Sequence, residues 1–310
     1  VSTLLFTLSV SSTILKYRQG NNDGIHLAVG PNCGQLGGNF TDVNAGIDLS
    51  TVKTIVSFGD SYTDGGIRNG SKLLPPVLIP PDPEAGGRIT NGPVWIENIA
   101  NDIGARLMDY AFSGAVVNVS LWPSAAAEGQ TDFIHETATF LNQSNLLDPD
   151  TTLYTVFFGI NDFGHSKIDG DHLPEAAADL LNQIAILASP PTNARSFLVT
   201  DVYGTGTHAP DGEAWKQQIF AGLGAMHFEA PFLKVAYGDF STIWDAVLGT
   251  TPGFEAFGYT NDGSCLPEGA TTTDDACADP EHTFYWISGH PSKETHRIMA
   301  DYVEEVLATC

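Results

Sequence analysis

Residues 54–66 read TIVSFGDSYTDGG. The first five, Thr54–Phe58, are short, apolar and partly β-branched, as a strand covered on both faces should be. The glycine-flanked turn that follows puts Ser61 where the chain leaves that strand. A serine in such a turn is commonly only a turn former or an N-cap. A helix following the turn would aim backbone N–H groups and a positive dipole end at any anion bound there.

Downstream, the same kind of run recurs at Ala105–Tyr110, Leu153–Phe158, Ser196–Thr200 and Leu233–Tyr237. Helical patterns fall between them at Val94–Ile103, Pro174–Ala188, Ala214–Phe228 and Thr242–Leu248, and a last one spans Ser292 to Leu307. This alternation predicts βαβ units, a mostly parallel sheet and a three-layer α/β/α sandwich. Ligands bind such sheets beyond the carboxyl ends of the strands. Three further segments are expected at that edge. Gly159-Ile160-Asn161-Asp162 ends the third run and offers a side-chain amide as a hydrogen-bond donor. Tyr110 to Gly114 ends the second, and a glycine there lets backbone approach closely. Gly289-His290-Pro291 precedes the final helix and can bring an imidazole over Ser61. Singly, each has an ordinary structural reading: turn former, packing glycine, surface histidine.

In this order the four blocks resemble the SGNH, or GDSL, hydrolases, whose signatures are a G-D-S turn, a glycine, a G-x-N-D segment and a C-terminal H-P. The match runs from about residue 51 to 308. The resemblance implies a flavodoxin-like sheet and an ester hydrolase with Ser61 as nucleophile and His290 as general base. It also implies an oxyanion hole made of the Ser61 and Gly114 amides and the Asn161 side chain. GDSYTDGG, GRITNG (87–92) and CGQLGGNFTDVNAG (33–46) look most like the fungal family-16 carbohydrate esterases, which remove acetyl groups from sugars. A small-molecule or oligosaccharide ester is then the expected partner, with no cofactor and no metal.

One position departs from the pattern. The family places an aspartate three residues before the histidine, and here that residue is Ile287, which cannot accept a hydrogen bond. A backbone carbonyl, that of Ile287 being one candidate, can hold Nδ1–H instead and preserve the tautomer that leaves Nε2 free. The alternatives are a carboxylate from elsewhere, with Asp279 and Glu281 nearest in sequence, or a relative that binds ligand without turning it over. Asp279-Pro-Glu-His282 preserves the D-x-x-H spacing and makes His282 a competing base.

The chain carries 37 acidic and 13 basic side chains, a formal charge of −24. Nucleic acid is an unexpected partner, because its affinity comes from Lys and Arg neutralising phosphates. Four cysteines without C-x-x-C spacing read as disulfides, and Cys265–Cys277 with Cys33–Cys310 is the preferred one of three pairings. Sequons at Asn39, Asn69, Asn118 and Asn142 permit N-glycans, and with the paired cysteines they point to secretion. Val1–Leu15 reads either as a signal-peptide core or as a mature strand, too short to span a membrane. Residues 1–50 are expected to form an extension packed on or leading into a catalytic domain of residues 51–310. The Pro-rich run 73–83 (LLPPVLIPPDP) reads as a surface loop near the site, and a lipase or longer-acyl esterase is the competing enzyme, with the apolar Leu73–Pro81 stretch as an acyl wall. A catalytically weak carbohydrate-binding protein is the alternative from another class.

Overall fold

A computed structural model describes residues 24–310. The reading of Val1–Leu15 therefore lies outside the described residues. The elements, in chain order, are β1 (Val43–Ala45), β2 (Thr54–Gly59), α1 (Trp95–Ile103), β3 (Arg106–Asp109), α2 (Pro123–Ala127), α3 (Phe133–Asn142) and β4 (Thr152–Phe157). There follow α4 (Ile160–Asp169), α5 (Leu173–Ala188), β5 (Ser196–Asp201), α6 (Pro210–Glu229), β6 (Lys234–Asp239) and α7 (Ser241–Leu248). The chain ends in β7 (Asn261–Ser264), β8 (Thr283–Ile287), β9 (His290–Pro291) and α8 (Lys293–Thr309).

Among the described residues a six-stranded sheet runs in the order β1-β6-β5-β4-β2-β3. All its pairings are parallel except that of β1, which caps the β6 edge antiparallel. Counting only the parallel strands, the order is second, first, third, fourth, fifth, the flavodoxin-like arrangement. The sheet has two apolar faces because its side chains alternate. In β5, Phe197 and Val199 pack with α3, α5 and α6, and Leu198 packs with α1, α7 and α8. This is the expected three-layer sandwich.

Two features position the site. The strand order reverses between β2 and β4, so the turns that leave these neighbouring strands open into one crevice. A second sheet, β7-β8-β9, brings the C-terminal segment across to it. There Ile287 pairs with His290 across a two-residue turn, and Gly289 takes the left-handed φ of +72° that such a turn requires. Ser292 then caps α8, its side chain accepting from the Thr295 amide. Cys265–Cys277 and Cys33–Cys310 are both joined.

The helix expected directly after Ser61 is absent. The amides of Thr63 and Asp64 both donate to the Asp60 carbonyl, closing one turn, and the next helix begins only at Trp95. Gly65 and Gly66, the latter at φ +86°, end that turn. Any anion at Ser61 therefore meets individual amides of a turn, without a helix dipole behind them.

Candidate active site

Ser61 leaves β2 half-buried, its neighbours Asp60 and Tyr62 fully so. Asp60 Oδ1 accepts the Tyr62 amide at 3.0 Å and shapes the turn. His290, 229 positions further along, brings Nε2 to 3.0 Å from Ser61 Oγ. Its Nδ1 lies 3.2 Å from the carbonyl oxygen of Ser288. A carbonyl only accepts, so the neutral ring carries its proton on Nδ1, and Nε2 is left to accept from the serine hydroxyl.

The orienting carbonyl is thus that of Ser288 and not that of Ile287. Ile287 is the ladder partner of His290, so the carbonyl that comes round to the ring is the next one, at the hairpin tip. The two carboxylates considered for this role are engaged elsewhere: Asp279 pairs with His282 at 2.9 Å and Glu281 with Lys293 at 2.7 Å. The ring that meets Ser61 is that of His290, and His282 stands just before β8, beside Asp279.

Asn161 lies in the first turn of α4, just beyond β4. Its Nδ2 donates to the Ala115 carbonyl at 2.9 Å and points a longer 3.4 Å contact at Asp60 Oδ2. The amide thereby bridges the Ser61 turn and the Gly114-Ala115 turn. Gly114 has φ +81°, so a side chain there would be strained as well as placed against Gln130. Ser61, Gly114, Asn161 and His290 thus converge at the carboxyl ends of β2, β3 and β4. The residues behind them are held by buried carboxylates: Asp162 accepts from the Val117 amide and Trp122 Nε1, Asp109 from Ser57, Gly65 and Ala111.

Burial dominates the electrostatics. Desolvation pushes Asp60 and Asp109 up to about 8 and Asp162 up to about 7, and neighbouring carboxylates add repulsion. His290 is lowered, chiefly by desolvation, with the Ser288 carbonyl partly opposing it. Behind it, fully buried His296 is lowered to about 3 and accepts the Trp95 amide at Nδ1.

Two contributors escaped the sequence reading. Gln130 packs against Gly114, and its carboxamide bonds His165 Nε2 at 3.0 Å and Glu128 at 2.8 Å. The 73–83 loop is fastened to the hairpin module: Trp286 Nε1 donates to the Pro83 carbonyl at 2.7 Å, and Leu78 packs against the cluster of Cys265, Leu266 and Trp286. Neither contact has a sequence signature, since both join residues far apart through loops. Among the sequons, Asn39, Asn69 and Asn142 are exposed, and Asn118 donates its side-chain amide to Asp179 at 2.7 Å. No described helix is long and apolar enough to cross a membrane.

Comparison with known proteins adds the wider context. The thermolabile hemolysin of Vibrio parahaemolyticus is 24% identical over 288 residues, 84% of this chain and 65% of that protein. An acetylesterase of Hypocrea jecorina is 31% identical over 135 residues, 38% of each chain. The chain thus spans less than two thirds of the length of either relative. A solved lipolytic protein of the G-D-S-L family from Veillonella parvula is 15% identical, with 84% of this chain and 100% of that one covered at a TM-score of 0.44. A family two carbohydrate esterase from Clostridium thermocellum is 14% identical, with 83% and 64% covered at a TM-score of 0.45. A family model described as GDSL-like lipase/acylhydrolase matches residues 55–303, a span that contains all four signature segments and most of the sheet. The chain belongs to this GDSL-like lipase/acylhydrolase family.

Proposed function

We propose that the protein is a secreted carboxylic ester hydrolase that releases acetyl or other short acyl groups from carbohydrate esters, through an acyl-enzyme on Ser61. The observation that carries this reading is the 3.0 Å approach of His290 Nε2 to Ser61 Oγ. His290 takes the hydroxyl proton at Nε2 while Oγ bonds to the ester carbonyl carbon. The resulting oxyanion is received by the Ser61 and Gly114 amides and by Asn161 Nδ2, whose second proton exchanges its long 3.4 Å contact with Asp60 for the oxyanion while the first stays on Ala115. On collapse, Nε2–H protonates the departing alkoxide, leaving the acyl group on Ser61. Water attacks that ester, gives a proton to Nε2, and the acid leaves as Oγ recovers its hydrogen.

The Ser288 carbonyl keeps the imidazole in the productive tautomer. Its dipole stabilises imidazolium less than a carboxylate would, so a modest turnover is expected. Partial likeness to an acetylesterase and to blocks of the fungal acetyl esterases favours short acyl groups on sugars. Joined cysteines and exposed sequons favour secretion. A longer-acyl reading has its own observation, the exposed Leu74, Val77 and Ile79 on the loop fastened to the His290 module.

The test is hydrolysis of aryl esters and acetylated oligosaccharides of graded acyl length by three variants. Ser61→Ala and His290→Ala should lose nearly all turnover, and Asn161→Ala should lose about 10²–10³-fold in kcat. Turnover that collapses beyond short acyl groups supports the acetyl reading, and turnover that rises with chain length supports the longer-acyl one. Near-normal hydrolysis by Asn161→Ala overturns the oxyanion assignment.

A further inference from the structure

Only a two-residue turn carries His290 over the sheet edge, and the other reacting segment reaches that turn directly. Tyr62, the residue after Ser61, donates its hydroxyl to the Gly289 carbonyl at 2.7 Å. Its ring is fully buried, stacked on Phe157 at 5.5 Å and on Trp244 at 5.9 Å, and tilted against the His290 ring at 5.9 Å. The phenol is therefore fixed by packing before it donates. The carbonyl it holds belongs to the peptide unit whose nitrogen is that of His290, so fixing it fixes the histidine backbone. The preceding carbonyl, Ser288, holds the imidazole itself. Burial keeps the phenol protonated and able to donate.

We propose that Tyr62 is a positioning residue for the Ser61–His290 pair, its hydroxyl anchoring the hairpin tip at Gly289 so that Nε2 stays within reach of Oγ where no carboxylate holds the ring. The proposal rests on the acyl-enzyme reading above. It gives Tyr62 two tasks: its backbone follows the nucleophile through the turn, and its side chain sets where the base stands. One rigid aromatic thereby ties together positions 227 apart.

Tyr62→Phe keeps the stacked ring and removes one hydroxyl, and Gly289 is exposed enough for water to replace the lost donor. We expect kcat for acetyl ester hydrolysis to fall about tenfold with KM changed less than about twofold, since misplacement of a reacting group is felt in the chemical step. Labelling of Ser61 by an active-site phosphonate should slow by the same factor. In a His290→Ala background, adding Tyr62→Phe should change the residual labelling rate by less than about twofold, because the anchor acts only through the imidazole. Circular dichroism establishes that each variant is folded. Wild-type turnover and labelling in Tyr62→Phe overturn the proposal, as does an equal loss in both backgrounds, which makes Tyr62 mere packing. Retained hydrolysis by Ser61→Ala instead overturns the acyl-enzyme reading, and an inactive Ser61→Ala beside a fully active Tyr62→Phe overturns only the anchor.

Discussion

His290 Nδ1 meets the carbonyl dipole of Ser288, and this is measurable as a pH profile. Desolvation lowers its proton affinity below the ordinary 6.5, and the Ser288 carbonyl recovers only part of that loss. Its imidazole neighbour, His296, is neutral at the same pH. The base works when deprotonated, so activity rises as pH climbs through this value. The acid limb of kcat/KM should therefore fall below about pH 6.5, a limb at about 7 or higher being the contrary result. The candidate site residues were readable because Ser61, Gly114, Asn161 and His290 each sit in a short motif of fixed order. What orients them was not. Ser288 acts through its carbonyl, a group every residue has, and Ile287 told only that a carboxylate was missing. The Tyr62–Gly289 bond, too, joins a side chain to backbone, with no pattern of letters to mark it.

Among the elements, the parallel strands were legible to within a residue or two, as were α5 and α8, because each combines a clear apolar run with a turn or cap, while α6 starts at Pro210, four residues before the expected Ala214. Three of the unread elements lack that combination, whereas α3 and β8 went unread despite the Asp132 cap of the one and the apolar run TFYWI of the other. α4 (INDFGHSKID) is largely polar with a glycine inside, β7 (NDGS) has no apolar residue, and β1 is three residues long. Their places are decided by tertiary contacts such as the pairing of β1 with β6. One buried ion pair matters beyond its own segment. Arg88, within GRITNG, is fully buried and bonds Glu97 of α1 through Nε and Nη2 at 2.6 and 2.8 Å. Its guanidinium also donates to the carbonyls of Leu74, Ala85 and Gly86, fastening the apolar 73–83 loop to the sandwich. Arg88→Ala strands a buried carboxylate and these carbonyls, and should cost about 3–5 kcal/mol in equilibrium urea unfolding. A loss below about 1 kcal/mol would mean that the pair is dispensable.

Over the whole molecule, buried acids decide how stability follows pH. Asp60 and Asp109 near 8, Asp162 near 7, and Asp42 and Asp201 near 6 all hold protons more tightly folded than unfolded, where the value is 3.8. Each contribution is complete below 3.8 and is lost as pH rises through the folded value. His296, lowered to about 3, acts oppositely: its contribution is present above 6.5 and is lost as pH falls towards 3. The carboxyls outnumber it, and the net charge of −24 adds repulsion as they ionise. Melting temperature at fixed ionic strength should thus be higher at about pH 5 than at about pH 8. Equal or reversed values would show that these acids are ionised in the native state.

The bond between Cys33 and Cys310 joins positions 277 apart, with their Cα atoms only 5.2 Å from each other. Between Cys33 and Cys310 the polypeptide is consequently a closed ring, and a protease that nicks one exposed loop within it opens the ring without releasing a fragment. Such a nicked chain would stay a single covalent body on an electrophoresis gel until a thiol reagent separated its pieces.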